Sequence, residues 1–119
     1  MENKVSIYKE ERPWGKFEVL LDSEACKVKK ITVNPGGRLS LQSHKRRSEH
    51  WIVTEGSLRI TIGEKTADYA VAEHVFIPQE ARHRMENTGD KPSALIEVQC
   101  GDYFGEDDIT RFEDDYNRI

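Results

Sequence analysis

The chain predicts an all-β fold, an antiparallel sandwich or barrel. Three observations carry that prediction. Apolar residues fall in short runs. Turn-forming residues separate the runs, at spacings of about 8–12 residues. Within the runs, apolar and polar side chains alternate, the period of a strand rather than a helix.

Residues 1–16 are polar, and Pro13 with Gly15 marks a turn after a short strand. Apolar runs follow at Phe17–Leu21, Lys27–Val33, Leu39–Ser43, Trp51–Val53, Leu58–Ile62, Tyr69–Val71, Val75–Ile77, His83–Glu86 and Leu95–Cys100. Their separators are Asn34 to Gly37, Glu55-Gly56, Gly63-Glu64, Pro78 and Asn87 to Asp90. Gly and Asn accept positive φ and Pro pre-sets a turn, so each separator has a physical reason to end a strand. One short helix is expected near Glu106–Phe112, where Asp107 and Asp108 would suit the positive end of a helix dipole.

A length of 119 residues is one domain, taken as residues 1–119. Charged residues make up 34% and hydrophobic residues 36%, enough apolar material for one core and too much for a disordered chain. The net charge of −4 is unevenly placed. Residues 100–119 carry seven acids and two arginines, so the rest of the chain is near neutral. That balance argues against a nucleic-acid binder, which needs a broad basic face. No apolar run approaches the ~18 residues of a membrane helix, and the start, Met1 to Lys4, is not a signal peptide. Two cysteines, Cys26 and Cys100, are too few for a disulfide scaffold and read as inert, which makes a cytoplasmic protein the expectation.

From Arg38 to His44, one strand face carries Arg38, Ser40, Gln42 and His44, and the other Leu39 and Leu41. The polar set either meets solvent or lines a wet cavity. Leu39 and Leu41 then pack against a second sheet or a second subunit. Gln42 and His44, two residues apart, point the same way; Glu49 can reach back after a tight turn, and His83 can join from across the barrel. A divalent cation accepts this mixture of imidazole nitrogen and carboxylate or amide oxygen.

These residues sit in a wider pattern: Gly36, Gln42, His44, Glu49 and Gly56, then Pro78, His83 and Asn87. The pattern resembles the two motifs of the cupin superfamily, with Gln42 where the first histidine usually stands. The stretches Pro35 to His44, Arg47 to Val53, Arg12 to Gly15, Glu97 to Gln99 and Gly105 to Arg111 are similar to the type II phosphomannose isomerase cupin. In that family the module forms the C-terminal domain of bifunctional isomerase/mannose-1-phosphate guanylyltransferases. The resemblance covers about residues 12–118. It implies a jelly-roll β-barrel with a short C-terminal helix and a homodimer. It also implies mannose-6-phosphate isomerase activity with one divalent metal ion, among which Zn, Mn, Co and Ni are not distinguished. Gly36-Gly37 is the only glycine pair and lies in a strand turn, so a nucleotide loop is not expected and nucleotidyl transfer is not read here. Lys45 and Arg46 stand where relatives often carry further histidines.

The chemistry assigns roles to the remaining residues. Moving a proton between adjacent sugar carbons needs a base beside the metal, and Glu97 and Lys45 are the candidates, each with a structural or surface alternative. A phosphate needs guanidinium or ammonium groups. Arg38 and Arg47 are the candidates, against the alternative of solvated surface charges. His50 has the wrong parity to face the metal, His74 reads as surface, and Trp14 and Trp51 as core or wall. The rival functions are a non-catalytic sugar-phosphate or nucleotide-sugar binding cupin, and another cupin enzyme such as a sugar epimerase or an oxygenase.

Overall fold

The computed structural model describes residues 6–116; the reading of Met1 to Lys4 lies outside the described residues. Among the described residues eleven strands form: β1 (Tyr8–Arg12), β2 (Gly15–Asp22), β3 (Cys26–Val33), β4 (Leu41–His44), β5 (Arg47–Glu55), β6 (Ser57–Ile62), β7 (Lys65–Ala70), β8 (His74–Ile77), β9 (His83–Glu86), β10 (Ser93–Gly101) and β11 (Ile109–Glu113). They build two antiparallel sheets. The larger runs β1-β2-β3-β10-β5-β8 and the smaller β11-β4-β9-β6-β7. Successive strands β4 to β9 alternate between the sheets in part, which folds the two faces onto one interior.

Strand parity decides what that interior contains. Along β5, Arg47, Glu49, Trp51 and Val53 point inward, while His50 and Ile52 point out. Along β10, Leu95, Glu97 and Gln99 point inward. One end of each strand therefore feeds an apolar core of Trp14, Ile31, Val33, Leu39, Trp51, Leu58, Ile60, Ile77, Met85 and Leu95. The other end supplies a buried polar set, so the functional region continues the core rather than lying on the outer surface.

Two motif residues shape turns instead of chemistry. Gly56 has φ of +66°, a conformation a side chain disfavours, and an added Cβ would run into the Ser93 side chain. Asn87 donates from Nδ2 to the carbonyls of Val33 (2.9 Å) and Lys91 (2.7 Å), and its Oδ1 accepts from the Gly89 amide (2.9 Å). It ties the loop before β10 to the end of β3.

Three expectations are corrected in detail. The C-terminal helix shrinks to one 3-10 turn, Glu106–Asp108, and Ile109–Glu113 is strand. The cause is the free edge of β4, whose ladder groups β11 satisfies through the pairs Ile109 with His44 and Arg111 with Gln42. Asp108 accepts the backbone amides of Lys45 (3.3 Å) and Arg46 (3.0 Å), so its carboxylate serves the β4–β5 turn. The alternation from Arg38 to His44 fails before β4, because Arg38 makes only an isolated bridge to Glu86. Leu39 and Ser40 are both buried, and Leu39 belongs to the chain's own core. His74 opens β8 rather than sitting in a loop, and it is exposed.

Candidate active site

A cavity of about 80 Å³ opens where the polar ends of β5 and β10 face β4 and β9. His44, Glu49, His83, Gln42, Glu97 and Gln99 line it, with Trp51 and Leu39 as apolar wall. Ligand-type atoms of His44, Glu49 and His83 all lie within 4.8 Å of one another, and the three residues are buried. The β-ladder puts them there: Gln42 on β4 is registered against His83 on β9, and Glu49 on β5 against Gln99 on β10.

Hydrogen bonds set the ring tautomers. His83 Nδ1 lies 3.0 Å from the Ala81 carbonyl, which can only accept, so Nδ1 carries the proton and Nε2 offers its lone pair. That Nε2 sits 4.0 Å from Glu49 Oε1. His44 Nε2 lies 3.4 Å from Glu49 Oε2 and 3.0 Å from Arg47 Nη2. Arginine only donates, so His44 Nε2 is also unprotonated, and its buried Nδ1 has no hydrogen-bond partner among the described residues. Burial, then the Arg47 charge, pushes the His44 imidazole down to about 3, and burial lowers His83 as well. Both rings are neutral at physiological pH.

Glu49 is held from both sides. Arg47 Nε donates to Oε2 (2.9 Å) and Trp51 Nε1 to Oε1 (2.8 Å). Glu97, 5% exposed, stands next to it and accepts from Gln99 Nε2 (3.0 Å). Burial, followed by the Glu49 charge, raises the Glu97 carboxyl to about 7. Two neutral imidazoles with unprotonated Nε2 atoms and one carboxylate are a donor set that fits a divalent cation, with Gln42 on the same wall. The Arg47 guanidinium now serves as the counter-charge of Glu49, and a cation taken up between His44 and Glu49 requires it to leave His44 Nε2.

The structure brings together Gln42, His44, Glu49, His83, Glu97 and Arg47 around one cavity. It does not bring Arg38 or Lys45 there. Arg38 donates to Asp115 through Nε (3.0 Å) and Nη2 (2.7 Å), outside the cavity lining. Lys45 is exposed on the β4–β5 turn. The reason for Arg38 is the broken parity just before β4. Arg47 is buried and committed to Glu49 and His44, with a longer contact to the Phe104 carbonyl (3.4 Å). Arg38→Ala is therefore expected to leave the KM for a phosphosugar unchanged and to cost under ~1 kcal/mol of stability, as for other exposed pairs; titration kinetics and urea melts check both.

Sequence reasoning missed other cations on the wall: Arg12 on β1, Lys29 on β3 and Arg111 on β11. Arg12 and Lys29 both lie over the Phe17 ring, at 5.7 and 4.7 Å from its centroid. Arg12 and Arg111 stand in motif stretches, but nothing local tells that β1 and β11 close over the same space. Trp51 turns out to be a hydrogen-bond donor to Glu49 as well as core, and its edge meets the His83 ring at 5.5 Å. His50 points outward and meets Phe76 edge-on at 4.8 Å, in agreement with its parity.

Comparison with known proteins adds the following. The family described as mannose-6-phosphate isomerase C-terminal matches residues 2–114. Mannose-1-phosphate guanylyltransferase 2 of Escherichia coli O157:H7 is 50% identical over 105 residues, 88% of this chain and 22% of that protein. The alginate biosynthesis protein AlgA of Pseudomonas aeruginosa is 44% identical over 117 residues, 98% of this chain and 24% of that protein. The chain thus spans about a quarter of the length of these relatives. Among solved structures, the capsular polysaccharide assembling protein CapF of Staphylococcus aureus superposes with a TM-score of 0.75 at 21% identity, over 89% of this chain and 34% of that one. The S161A mutant of Bacillus subtilis oxalate decarboxylase OxdC gives 0.75 at 22% identity, over 88% and 30%. These two likenesses concern the fold.

Proposed function

The chain belongs to the mannose-6-phosphate isomerase C-terminal family, with a cupin fold, and from that membership we propose a metal-dependent isomerase of mannose 6-phosphate and fructose 6-phosphate. One observation carries the reading: His44, Glu49 and His83 converge beside a second buried carboxylate, Glu97, in a cavity whose wall also holds Arg12, Lys29 and Arg111.

Gln42, His44 and His83 are neutral donors and Glu49 a single negative one, so a divalent cation there keeps a net positive charge and would polarise adjacent sugar oxygens as a Lewis acid. Glu97 is the group placed to take the proton from one sugar carbon and return it to the next. Gln99 Nε2 donates to Glu97 Oε1 (3.0 Å) and orients that carboxyl. Arg12, Lys29 and Arg111 supply the positive wall that a phosphate needs, and Arg47 fixes Glu49. Trp51, Leu39 and Ile31 shield the cavity from bulk water on its core side. The substrate class makes the cytoplasm the proposed setting, and a homodimer is proposed as the assembly, which light scattering tests.

A coupled assay for fructose 6-phosphate with Zn²⁺, Mn²⁺, Co²⁺ or Ni²⁺, beside a chelated control, decides the function. Metal-dependent turnover is expected. Saturable binding of mannose 6-phosphate without turnover would instead identify a sugar-phosphate binding module, which the chain's span of only a quarter of its relatives makes the second reading.

A further inference from the structure

The two cysteines lie opposite each other in the large sheet: in the β3–β10 ladder, Cys26 is registered against Cys100. Directly opposite residues of an antiparallel pair point to the same face. Here that is the outer face, because the neighbouring Gln99 is fully buried inside. Cys100 is exposed and Cys26 partly so, and both are free thiols.

The backbone settles which kind of pair this is. The Cys26 amide donates to Ser23 Oγ (3.3 Å), and the Cys26 carbonyl accepts from the Ser23 amide (3.0 Å). Ser23 belongs to the β2–β3 turn, and β2 and β10 flank β3 on opposite sides. Both backbone groups of Cys26 therefore turn away from β10, which makes Cys26 and Cys100 a non-hydrogen-bonded pair. In such pairs the Cα atoms stand about 4.5 Å apart with the side chains drawn together. A disulfide needs Cα atoms at about 4.4–6.8 Å, so the bond closes without moving a strand.

We infer that Cys26 and Cys100 form an oxidation site that closes to an intramolecular, cross-strand disulfide when a low-molecular-weight disulfide such as oxidised glutathione is the oxidant. Cys100, the more exposed, attacks first: its thiolate bonds to one glutathione sulfur, the glutathione S–S bond breaks, and one glutathione leaves as thiolate. Cys26 then attacks the Cys100 sulfur and expels the second glutathione. The protein loses two hydrogens, and glutathione disulfide is reduced to two thiols. Ser23 Oγ donates to the Cys26 carbonyl (2.9 Å) and lies 3.5 Å from Cys26 Sγ. The link fastens β3 to the point where the chain leaves β10 for Glu106, Ile109 and Arg111 on the cavity wall. It rests on the strand register alone and stands or falls independently of the isomerase reading.

The test treats the purified chain with oxidised glutathione, then counts free thiols and measures intact mass and gel mobility. The expected product is a monomer without free thiols, lighter by two hydrogens, with a raised melting temperature that dithiothreitol reverses. In Cys26→Ser the reaction is expected to stop with one glutathione on Cys100. Two surviving thiols, a wild-type chain that stops at the glutathione adduct, or a covalent dimer would each overturn the inference.

Discussion

Glu97→Gln is expected to lower kcat for mannose 6-phosphate isomerisation by ~10²–10⁴-fold, the range lost when a positioned acid–base group is removed. The substitution keeps the shape of the side chain. Its amide oxygen can still accept from Gln99 Nε2, which now bonds Glu97 Oε1 at 3.0 Å. The loss falls on proton transfer rather than on the fold. Metal content and KM are the controls: a proton carrier changes kcat with both nearly intact, whereas a ligand changes metal content. Full kcat in the variant would remove Glu97 from the reaction and leave its burial beside Glu49 as a structural fact.

The second large effect concerns the metal itself. A cation that binds the folded chain and not the unfolded one stabilises it by about 2.7 kcal/mol at a hundred times Kd. For a chain of this size that raises Tm on the order of 10 °C. His83→Ala is expected to abolish that rise, bring bound metal close to zero and take isomerase activity to background. His83 is 2% exposed and its Nδ1 serves Ala81, so the variant also loses stability of its own, roughly 1–3 kcal/mol for the carbonyl left unpaired. His44→Ala leaves the Ala81 carbonyl its partner and removes instead the acceptor of Arg47 Nη2 (3.0 Å), so a metal-induced rise lost in both variants does not come from the Ala81 bond. Both variants melting without a metal-induced rise, against a wild type that shows one, support the site. A wild type whose Tm and metal content ignore every cation tried would remove it.

Strand order of events along the chain was legible in the sequence because strands announce themselves locally. His83–Glu86 forms a strand over the residues its apolar run marked, and Gly15–Asp22, Cys26–Val33 and Ser57–Ile62 differ from expectation by a residue or two. The ligand-type set was legible for the same reason: a two-residue spacing puts Gln42 and His44 on one face whatever else the fold does. Parity also placed His50 outward and Glu97 inward.

What failed did so where a long-range partner overrode a local signal. Asp107 and Asp108 looked like a helix start, but the unsatisfied edge of β4 drew Ile109–Glu113 into a ladder, since backbone groups left unpaired cost more than helix preference gains. Arg38 kept the parity of Gln42 on paper and lost it because the strand begins only at Leu41, leaving its guanidinium to Asp115. Arg47, by contrast, does line the cavity, and its guanidinium pairs there with Glu49, two residues along the same strand. By itself the sequence determined the all-β class, the inward faces of β5 and β10 and the residue types offered to a metal. Only the tertiary structure decided that β1, β3 and β11 bring Arg12, Lys29 and Arg111 to the same cavity, because those contacts depend on sheet order, which no local pattern encodes.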